Sequence, residues 1–207
     1  MNDFDDKAKL WDQNQMHLER TRSVAEEMLK RISIDSSMKA LEFGAGTGLL
    51  SFFLKDRLAS VTLMDTSVEM LQMAESKLTA GDYGRIKTVH FDLEKQEYVG
   101  ENVDIIFSQM VMHHIADVKS MLEKFYKMLS PGGYLAIADL YTEDGSFHGP
   151  EVDVHHGFEP DTLASQLKVL GFDQISASQC FVIKKKTVTG DFREYPVFLL
   201  TAMRQVG

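Results

Sequence analysis

The sequence predicts an α/β fold built on a doubly wound, mostly parallel sheet. Short, nearly continuous apolar runs alternate with segments of helical period, a pattern typical of strands buried on both faces and joined by helices. A glycine-rich turn at 44–48, GAGTG, follows the first apolar run, where sheets of this kind bind ligands. The 207 residues suit a single domain with its own core, so we expect one domain over 1–207.

The elements can be assigned in chain order. An amphipathic segment from about Trp11 to Ile32 predicts an N-terminal helix. Apolar residues at three- and four-residue steps predict crossover helices over about 68–78 and 118–129, and SPGG at 130–133 stops the second of them. The predicted buried strands are 39–43, 60–64, 86–91, 103–108 and 133–140.

The end of the chain has a different pattern. A helix is expected over 161–170, closing at Gly171, followed by two consecutive strands over 178–186 and 194–203. The link between these strands, TVTGDF at 187–192, is short and contains a glycine, which favours a hairpin. An antiparallel strand is therefore expected to complete the sheet.

Composition and charge narrow the possible partners. The formal net charge of −9 disfavours nucleic acid, whose affinity for proteins comes largely from Lys and Arg. We interpret the basic run KKK at 184–186 as a solvated strand edge. The acidic start and the absence of a long apolar run predict no signal peptide and no membrane span, so a cytoplasmic location is expected. The single cysteine, Cys180, is interpreted as a small buried residue.

The glycine turn has the spacing G-x-G-x-G, with Gly44, Gly46 and Gly48. Leu49 occupies the position where a dinucleotide fingerprint has its third glycine, and the Gly-Lys-Ser/Thr of a phosphate loop is missing. Asp65 ends the next strand 21 positions after Gly44 (65 − 44), where an acidic residue can bind ribose hydroxyls, and Asp92 ends the third strand. These features favour an adenosine-type cofactor at the carboxyl edge of the sheet.

Five motifs in order make the chain similar to the class I S-adenosylmethionine-dependent methyltransferases. They are LEFGAGTG, VTLMDTS, FDLE, VDIIFSQMVMHHIAD and MLSPGGYLAIAD, and together with their surroundings they span nearly the whole chain. The resemblance implies a seven-stranded, three-layer α/β/α fold with sheet order 3-2-1-4-5-7-6 and strand 7 antiparallel. It also implies S-adenosylmethionine as the cofactor and methyl transfer as the activity.

The resemblance further implies residue roles at the matching positions. The glycine turn would pass under the methionine and ribose of the cofactor, Glu42 would lie near its amino group, and Asp65 would hold the ribose hydroxyls. The cofactor-binding residues implied in this way are Glu42, Gly44, Ala45, Gly46, Thr47, Gly48, Asp65, Thr66, Met70, Asp92, Leu93, Ser108 and Gln109. Structural alternatives exist: Met70 as a core residue, Glu42 as a helix-dipole partner, and the two aspartates as turn or cap residues.

Methyl transfer from a sulfonium needs alignment of the acceptor more than a special catalytic group. A general base is required only for an acceptor that carries a proton, and histidine is the usual choice. His113 and His114, after the fourth strand, are the candidate catalytic residues. The polar segment 141–158 after the fifth strand is expected to form a substrate wall.

Candidate substrate contacts are Trp11, Tyr141, Phe147, His148 and His156. Residues 1–32 are expected to form a helical lid over the cofactor, and Arg20 and Arg22 to be surface ion pairs or anion contacts. A zinc site from His148, His155, His156 and Asp153 is conceivable, but no Cys/His metal spacing is present, so no metal is predicted.

The sequence therefore predicts a methyltransferase acting on a small-molecule acceptor, as a monomer or homodimer. The alternatives are methylation of RNA or protein, a protein that binds S-adenosylmethionine without catalysis, and an NAD-dependent oxidoreductase. Leu49 and the lack of a separate substrate domain disfavour the oxidoreductase.

Overall fold

The computed structural model describes residues 8–149, 151–186 and 190–206. The strands in these ranges are β1 (Lys39–Phe43), β2 (Ser60–Asp65), β3 (Ile86–His90), β4 (Val103–Gln109), β5 (Leu129–Leu140), β6 (Phe172–Lys186) and β7 (Phe192–Arg204). The α-helices are α1 (Ala8–Trp11), α2 (Gln15–Arg31), α3 (Leu49–Leu54), α4 (Val68–Ser76), α5 (Val118–Met128) and α6 (Pro160–Leu170). Short 3-10 turns cover Lys55–Arg57 and Met112–His114.

All seven strands join one sheet in the order β3-β2-β1-β4-β5-β7-β6. The strands β1 to β5 pair in parallel with their neighbours, whereas β7 runs antiparallel to both β5 and β6. The predicted fold class, strand order and antiparallel seventh strand are confirmed. The first strand has the predicted bounds, and the other parallel strands begin or end within a few residues of the prediction.

The start of β6 was predicted wrongly, and the backbone explains why. Strand β6 begins at Phe172, six residues before the predicted position. The prediction missed this start because a bulge at Gln174, with φ 47°, interrupts the alternation of side chains there. Helix α3 begins at Leu49, directly after Gly48, which adopts a left-handed conformation with φ 75°. The predicted hairpin link lies partly outside the described residues, which resume at Gly190.

The N-terminal segment forms two helices where one was expected. Helix α1 ends at Trp11, and α2 starts after Asn14, whose side chain accepts a hydrogen bond from Met16 N at 3.0 Å. That N-cap satisfies a backbone N–H that the first turn of a helix leaves unpaired. The cap therefore marks the start of α2 and separates it from α1.

The core has two layers, one on each face of the sheet. On one face α2, α3 and α4 bury residues against the sheet, among them Val24, Met28, Leu50, Leu54 and Leu71. On the other face α5 and α6 bury Leu122, Phe125, Leu163 and Leu167. The result is the predicted three-layer α/β/α arrangement. Among the described residues, no helix is both long and apolar enough to cross a membrane.

The parallel strands β1 to β4 end at the same edge of the sheet, and this edge positions the candidate site. The non-glycine residue after β4, Met110, adopts a left-handed φ of 59°, and its N–H donates to Ala138 O at 2.8 Å. Strained backbone of this kind clusters at functional sites.

The segment after β5 folds back onto the same edge and is anchored at Gly157. This residue has φ 75°, and a Cβ placed on it would lie 2.2 Å from the carbonyl oxygen of Tyr141. On either side, Phe158 N donates to Leu140 O and Thr142 N donates to Phe158 O. Only glycine fits at this position, and it keeps the segment that carries Phe147 and His148 close to the sheet edge.

We therefore predict that Gly157→Ala destabilises the fold more than Gly84→Ala. Both glycines have positive φ, but a Cβ on Gly84 meets no described atom within 4 Å. The left-handed backbone alone should cost roughly 1 to 2 kcal/mol in Gly84→Ala. Gly157→Ala adds a backbone clash and should cost about 2 to 5 kcal/mol. Urea unfolding of the two variants measures the difference, and equal losses would contradict the anchoring role.

Candidate functional site

A cavity of about 990 Å³ opens at the carboxyl ends of β1 to β4. Its floor is formed by the glycine turn and the strand ends, while α2 and the segment after β5 form its walls. Of the residues singled out by the sequence, the cavity is lined by Trp11, Arg20, Glu42, Gly44, Ala45, Gly46, Thr47, Asp65, Thr66, Met70, Asp92, Leu93, Gln109, His113, His114, Phe147 and His148. This volume lies at the upper end of the usual range for ligand sites.

The glycine turn lies too close to its neighbours for larger residues. A Cβ on Gly44 would lie 2.4 Å from Val111 Cγ2, and Gly46 adopts φ 54°. Ala45 N donates to Met64 O at 3.0 Å, which ties the turn to β2. The backbone therefore forms a cradle at the cavity floor that a side chain at these positions would fill.

Asp65, at the end of β2, holds this cradle in place. Its carboxylate accepts hydrogen bonds from Gly46 N at 2.7 Å and from Ser67 N at 2.8 Å. Burial raises the pKa of Asp65 above its usual range, although these backbone donors act in the opposite direction. The carboxylate thus joins the glycine turn to the second strand at the surface of the cavity.

Glu42 is the second acidic group at the floor and is only 3 % exposed. Its carboxyl accepts from Ser51 N at 3.1 Å and from the Ser51 hydroxyl, in the first turn of α3. Burial raises the pKa of Glu42 to about 8, the hydrogen bonds from Ser51 opposing that rise. Glu42 therefore contacts the first turn of α3, as a helix-dipole partner would. It also lines the cavity, where a cofactor contact is expected.

Asp92 and Leu93 lie beyond β3 at the far end of the cavity. The Asp92 carboxylate accepts from Glu94 N at 3.1 Å and forms an ion pair with Lys95 at 2.7 Å, an interaction that lowers the pKa of Asp92. Leu93 and Met70 are buried and also line the cavity. Asp92 therefore stabilises the turn after β3 and also lines the cavity.

Four of the predicted site residues do not line this cavity. Gly48 faces Leu63 and Phe52, and Ser108 is buried with an Oγ that has no hydrogen-bond partner among the described residues. The Tyr141 ring packs edge-on against Phe198, with centroids 5.4 Å apart. His156 lies beside Gly145 and is exposed. Gln109, the neighbour of Ser108, does line the cavity and donates to Thr21 Oγ1 of α2 at 2.9 Å.

The histidines that follow β4 and β5 have an acidic partner that the sequence interpretation missed. Asp139, fully buried at the end of β5, lies 2.6 Å from His113, measured from its Oδ1 to the ring Nδ1. The other ring nitrogen of His113, Nε2, lies 3.0 Å from His148 Nε2. An acidic residue inside the apolar run of β5 was the available signal, because a charge there requires a partner.

Arg20, on α2, is a buried cation in the cavity wall and is 5 % exposed. Burial lowers the pKa of Arg20 to about 10, so it stays charged at neutral pH. Its Nη1 lies 3.9 Å from Met16 Sδ, and its Nε has no hydrogen-bond partner among the described residues. Of the two sequence alternatives for Arg20, this position matches an anion contact better than a surface ion pair.

Charge is separated across the cavity. The acidic residues in its lining lie at or just after the ends of β1, β2 and β3: Glu42, Asp65, Asp92 and Glu94. With a pKa of about 8, Glu42 is mostly protonated at neutral pH and adds little charge. Its lysines and arginine come from α2 and the end of β6: Arg20, Lys184, Lys185 and Lys186. Of these, Lys184 pairs with Glu194 at 3.0 Å, and the lysine run is exposed as predicted while also bordering the cavity. The cavity therefore offers one acidic side and one basic side.

The chain is similar in sequence to known methyltransferases over part of its length. Residues 41–137 match the model of a methyltransferase-domain family. The malonyl-acyl carrier protein O-methyltransferase of Enterobacter lignolyticus is 28 % identical over 126 residues, which are 61 % of this chain and 48 % of that protein. The chain spans about half the length of the curated relatives it matches.

Solved structures share the fold at low identity. A chain from the Haloferax volcanii complex with the Trm112 methyltransferase activator superposes with a TM-score of 0.76, at 18 % identity and 99 % coverage of both chains. The N-methyltransferase NodS of Bradyrhizobium japonicum, in complex with S-adenosylhomocysteine, gives a TM-score of 0.69 at 18 % identity. That match covers 95 % of this chain and 90 % of NodS.

The raised pKa of Glu42 predicts a pH-dependent stability. Because the folded protein holds this proton up to about pH 8 while the reference carboxyl loses it near 4.5, unfolding becomes easier as pH rises between these values. Glu42→Gln removes that penalty and keeps an acceptor for Ser51. We expect Glu42→Gln to gain stability relative to wild type by roughly 2 to 5 kcal/mol between pH 5 and pH 8.5.

Chemical denaturation at several pH values measures this gain. Glu69→Gln, at an exposed carboxyl in the first turn of α4, is the control. A constant difference between wild type and Glu42→Gln across this pH range would show that Glu42 is ionised in the fold throughout.

Proposed function

We propose, on the premise that the chain belongs to the class I S-adenosylmethionine-dependent methyltransferases, that it transfers a methyl group from S-adenosylmethionine to a small anionic molecule. One observation carries the cofactor assignment. The glycine cradle and the acidic residues that end β1, β2 and β3 all line a single cavity. The two positive charges of the cofactor, its sulfonium and its ammonium, suit the acidic side of that cavity.

The residues present fit this cofactor. The backbone of Gly44 to Thr47 would lie beneath its methionine and ribose, with Glu42 near the ammonium and Asp65 on the ribose hydroxyls. Thr66 and Met70 would flank the adenine, Asp92 and Leu93 would meet its edge, and Gln109 would close the methionine side. Gly48 and Ser108, which lie outside the lining, are not assigned a direct contact. When bound, the cofactor supplies a methyl group on a sulfonium that is already an activated leaving group.

The protein then has to orient the acceptor and exclude water. His113 is the favoured candidate for a base of the two histidines proposed, because Asp139 holds its Nδ1 and its Nε2 faces His148, which also lines the cavity. In such a pair the carboxylate fixes the imidazole tautomer. His114 lies beside it, with ring centroids 4.2 Å apart.

The charge separation supports an anionic acceptor. If the cofactor occupies the acidic side, the acceptor faces Arg20 and the lysines at the end of β6. A buried guanidinium whose Nε has no hydrogen-bond partner in the described chain is well suited to a carboxylate or phosphate, since such a contact restores the interactions lost on burial. Phe147 and His148, also in the lining, would contact the acceptor from the segment after β5.

The N-terminal segment is proposed to act as a lid over the bound cofactor. Trp11 lines the cavity and packs against His17, with ring centroids 4.2 Å apart and ring planes tilted by 40°. The neighbouring Asp12 accepts from the Thr47 hydroxyl in the glycine turn and pairs with Lys77 at 2.6 Å. These contacts connect the lid to the cradle, so closure and cofactor binding would favour each other. Residues 1–7 of the predicted lid lie outside the described residues.

The alternatives make different predictions for the same protein. Methylation of RNA or protein needs a surface that accepts a macromolecule, and the net charge of −9 works against RNA. Binding without catalysis would give no S-adenosylhomocysteine with any acceptor. An oxidoreductase would bind NAD. Monomer or homodimer assembly and a cytoplasmic location stay predictions.

Replacement of Asp65 tests the cofactor assignment. Asp65→Asn should weaken binding of S-adenosylhomocysteine by about 10- to 100-fold, because a charged acceptor for two ribose hydroxyls is lost. Asp56→Asn, at an exposed position on the turn before β2, should leave the affinity unchanged. Calorimetry with S-adenosylmethionine, S-adenosylhomocysteine and NAD measures all three ligands. Binding of NAD without either sulfur compound would refute the assignment.

Replacement of Arg20 tests the acceptor class. With S-adenosylhomocysteine bound, malonate or phosphate should raise the melting temperature of wild type and of Arg22→Gln, whose arginine is exposed on the same helix. In Arg20→Gln the anion should bind about 10- to 100-fold more weakly. The second arm compares the affinities of wild type and Arg20→Gln for S-adenosylhomocysteine and for 5′-methylthioadenosine, which lacks the amino acid part. If Arg20→Gln weakens binding of S-adenosylhomocysteine but not of 5′-methylthioadenosine, Arg20 binds the cofactor carboxylate and the acceptor proposal fails.

A further inference from the structure

Three histidines from two separate segments meet at the cavity wall. His113 and His114 end the 3-10 turn after β4, and His148 belongs to the segment after β5. One ring nitrogen from each lies within 4.8 Å of the corresponding nitrogens of the other two. We propose that His113, His114 and His148, named here the histidine cluster, bind a divalent transition metal ion of the zinc type, with an open position toward the cavity.

The nitrogen positions suit coordination. Two imidazole nitrogens bound at about 2.0 to 2.1 Å to a tetrahedral zinc ion are about 3.3 Å apart. His113 Nε2 and His148 Nε2 are 3.0 Å apart, so a small widening admits the ion between them. That separation also suits a hydrogen bond between two rings. The third histidine favours a metal, because a hydrogen-bonded pair does not need it whereas a catalytic zinc site has three protein ligands.

Asp139 gives the second, separate observation. Its buried carboxylate faces the Nδ1 of His113 at 2.6 Å and also accepts from Leu140 N at 2.7 Å. A carboxylate behind a ligating histidine is the usual outer partner of a metal site, because it fixes the tautomer and makes the imidazole a better ligand. The nitrogen of His113 left for a ligand is thus Nε2, the one that faces His148.

The surroundings hold the two segments in register. The Phe147 ring packs edge-on against His113 and His148, with centroid distances of 6.4 and 4.9 Å. The His155 N–H donates to His113 O at 2.8 Å, and its ring Nε2 lies 3.0 Å from Ile115 O. Of the zinc ligands considered from the sequence, His148 therefore belongs to the cluster, whereas His155 anchors backbone. A site held by both segments is preorganised.

The histidine cluster lines the same cavity as the basic residues proposed to face the acceptor. An ion there would take an acceptor oxygen or nitrogen as its fourth ligand and lower the pKa of a bound hydroxyl, whose proton would leave to water. In that arrangement His113 is a metal ligand and not the base. This role rests on the proposed function, but binding of the ion does not.

Cobalt substitution tests the proposal directly. The full chain is stripped with chelator and titrated with Co²⁺, whose visible d–d absorption reports coordination, and Zn²⁺ is then added as a competitor. We expect one equivalent of Co²⁺ to give tetrahedral-type absorption that Zn²⁺ abolishes. His148→Ala should lose the signal, and Asp139→Asn should bind about 10- to 100-fold more weakly. His156→Ala, an exposed histidine outside the cluster, should behave as wild type.

Circular dichroism and S-adenosylhomocysteine binding show whether each variant is folded. Equal cobalt binding by His148→Ala and His156→Ala, or no tetrahedral absorption in wild type, would overturn the metal site and leave His113 and His148 as a hydrogen-bonded pair. The result is separable from the proposed function, because a failed metal site leaves binding of the sulfur cofactors intact, and a failed cofactor assignment leaves the cobalt titration unchanged.

Discussion

The hydrogen bond between Gly46 N and the Asp65 carboxylate fixes the geometry on which the candidate site depends. It connects the turn after β1 to the end of β2, two adjacent parallel strands that finish at the same edge. Without this bond, the three left-handed glycines of the turn would have many conformations available. Asp65 also lines the cavity, so the residue that orders the cradle is available to a ligand. The Asp65 carboxylate therefore both orders the glycine turn and is available to a ligand in the cavity.

The separation of charge follows from the topology. Strands β1, β2 and β3 lie on one side of the sheet and contribute the acidic residues, while β6 lies at the opposite edge and contributes the lysines. Helix α2 crosses between them and brings Arg20 into the wall. The hydrogen bond from Gln109, at the end of β4, to Thr21 connects α2 to this edge of the sheet. A protein of strongly negative net charge can therefore present a basic surface inside its cavity.

The parallel part of the sheet was predictable because its strands are buried on both faces and so appear as continuous apolar runs. The start of β6 was not, since the bulge at Gln174 breaks its periodicity, and a bulge has no distinct sequence signal. In the site, the strand ends Asp65 and Asp92 could be predicted from order alone. The sequence could not show which of Ser108 and Gln109 lines the cavity. Neighbours on a strand face opposite sides, and the motif does not say which side is the cavity.

Asp139 and Arg20 show what kind of information the sequence lacked. Each is a charged residue in a stretch whose pattern predicts only a strand or a helix, and its role depends on a partner far away in the chain: Asp139 meets His113 at a separation of 26 residues. Both are nearly inaccessible to solvent, and burying a charge is costly unless a partner compensates. Asp139 has such a partner in His113, and its charge also favours the charged form of Arg20, although the Arg20 Nε has no hydrogen-bond partner among the described residues. Asp139 therefore offsets part of the cost of burying Arg20, and an anionic substrate bound against the guanidinium would offset more of it.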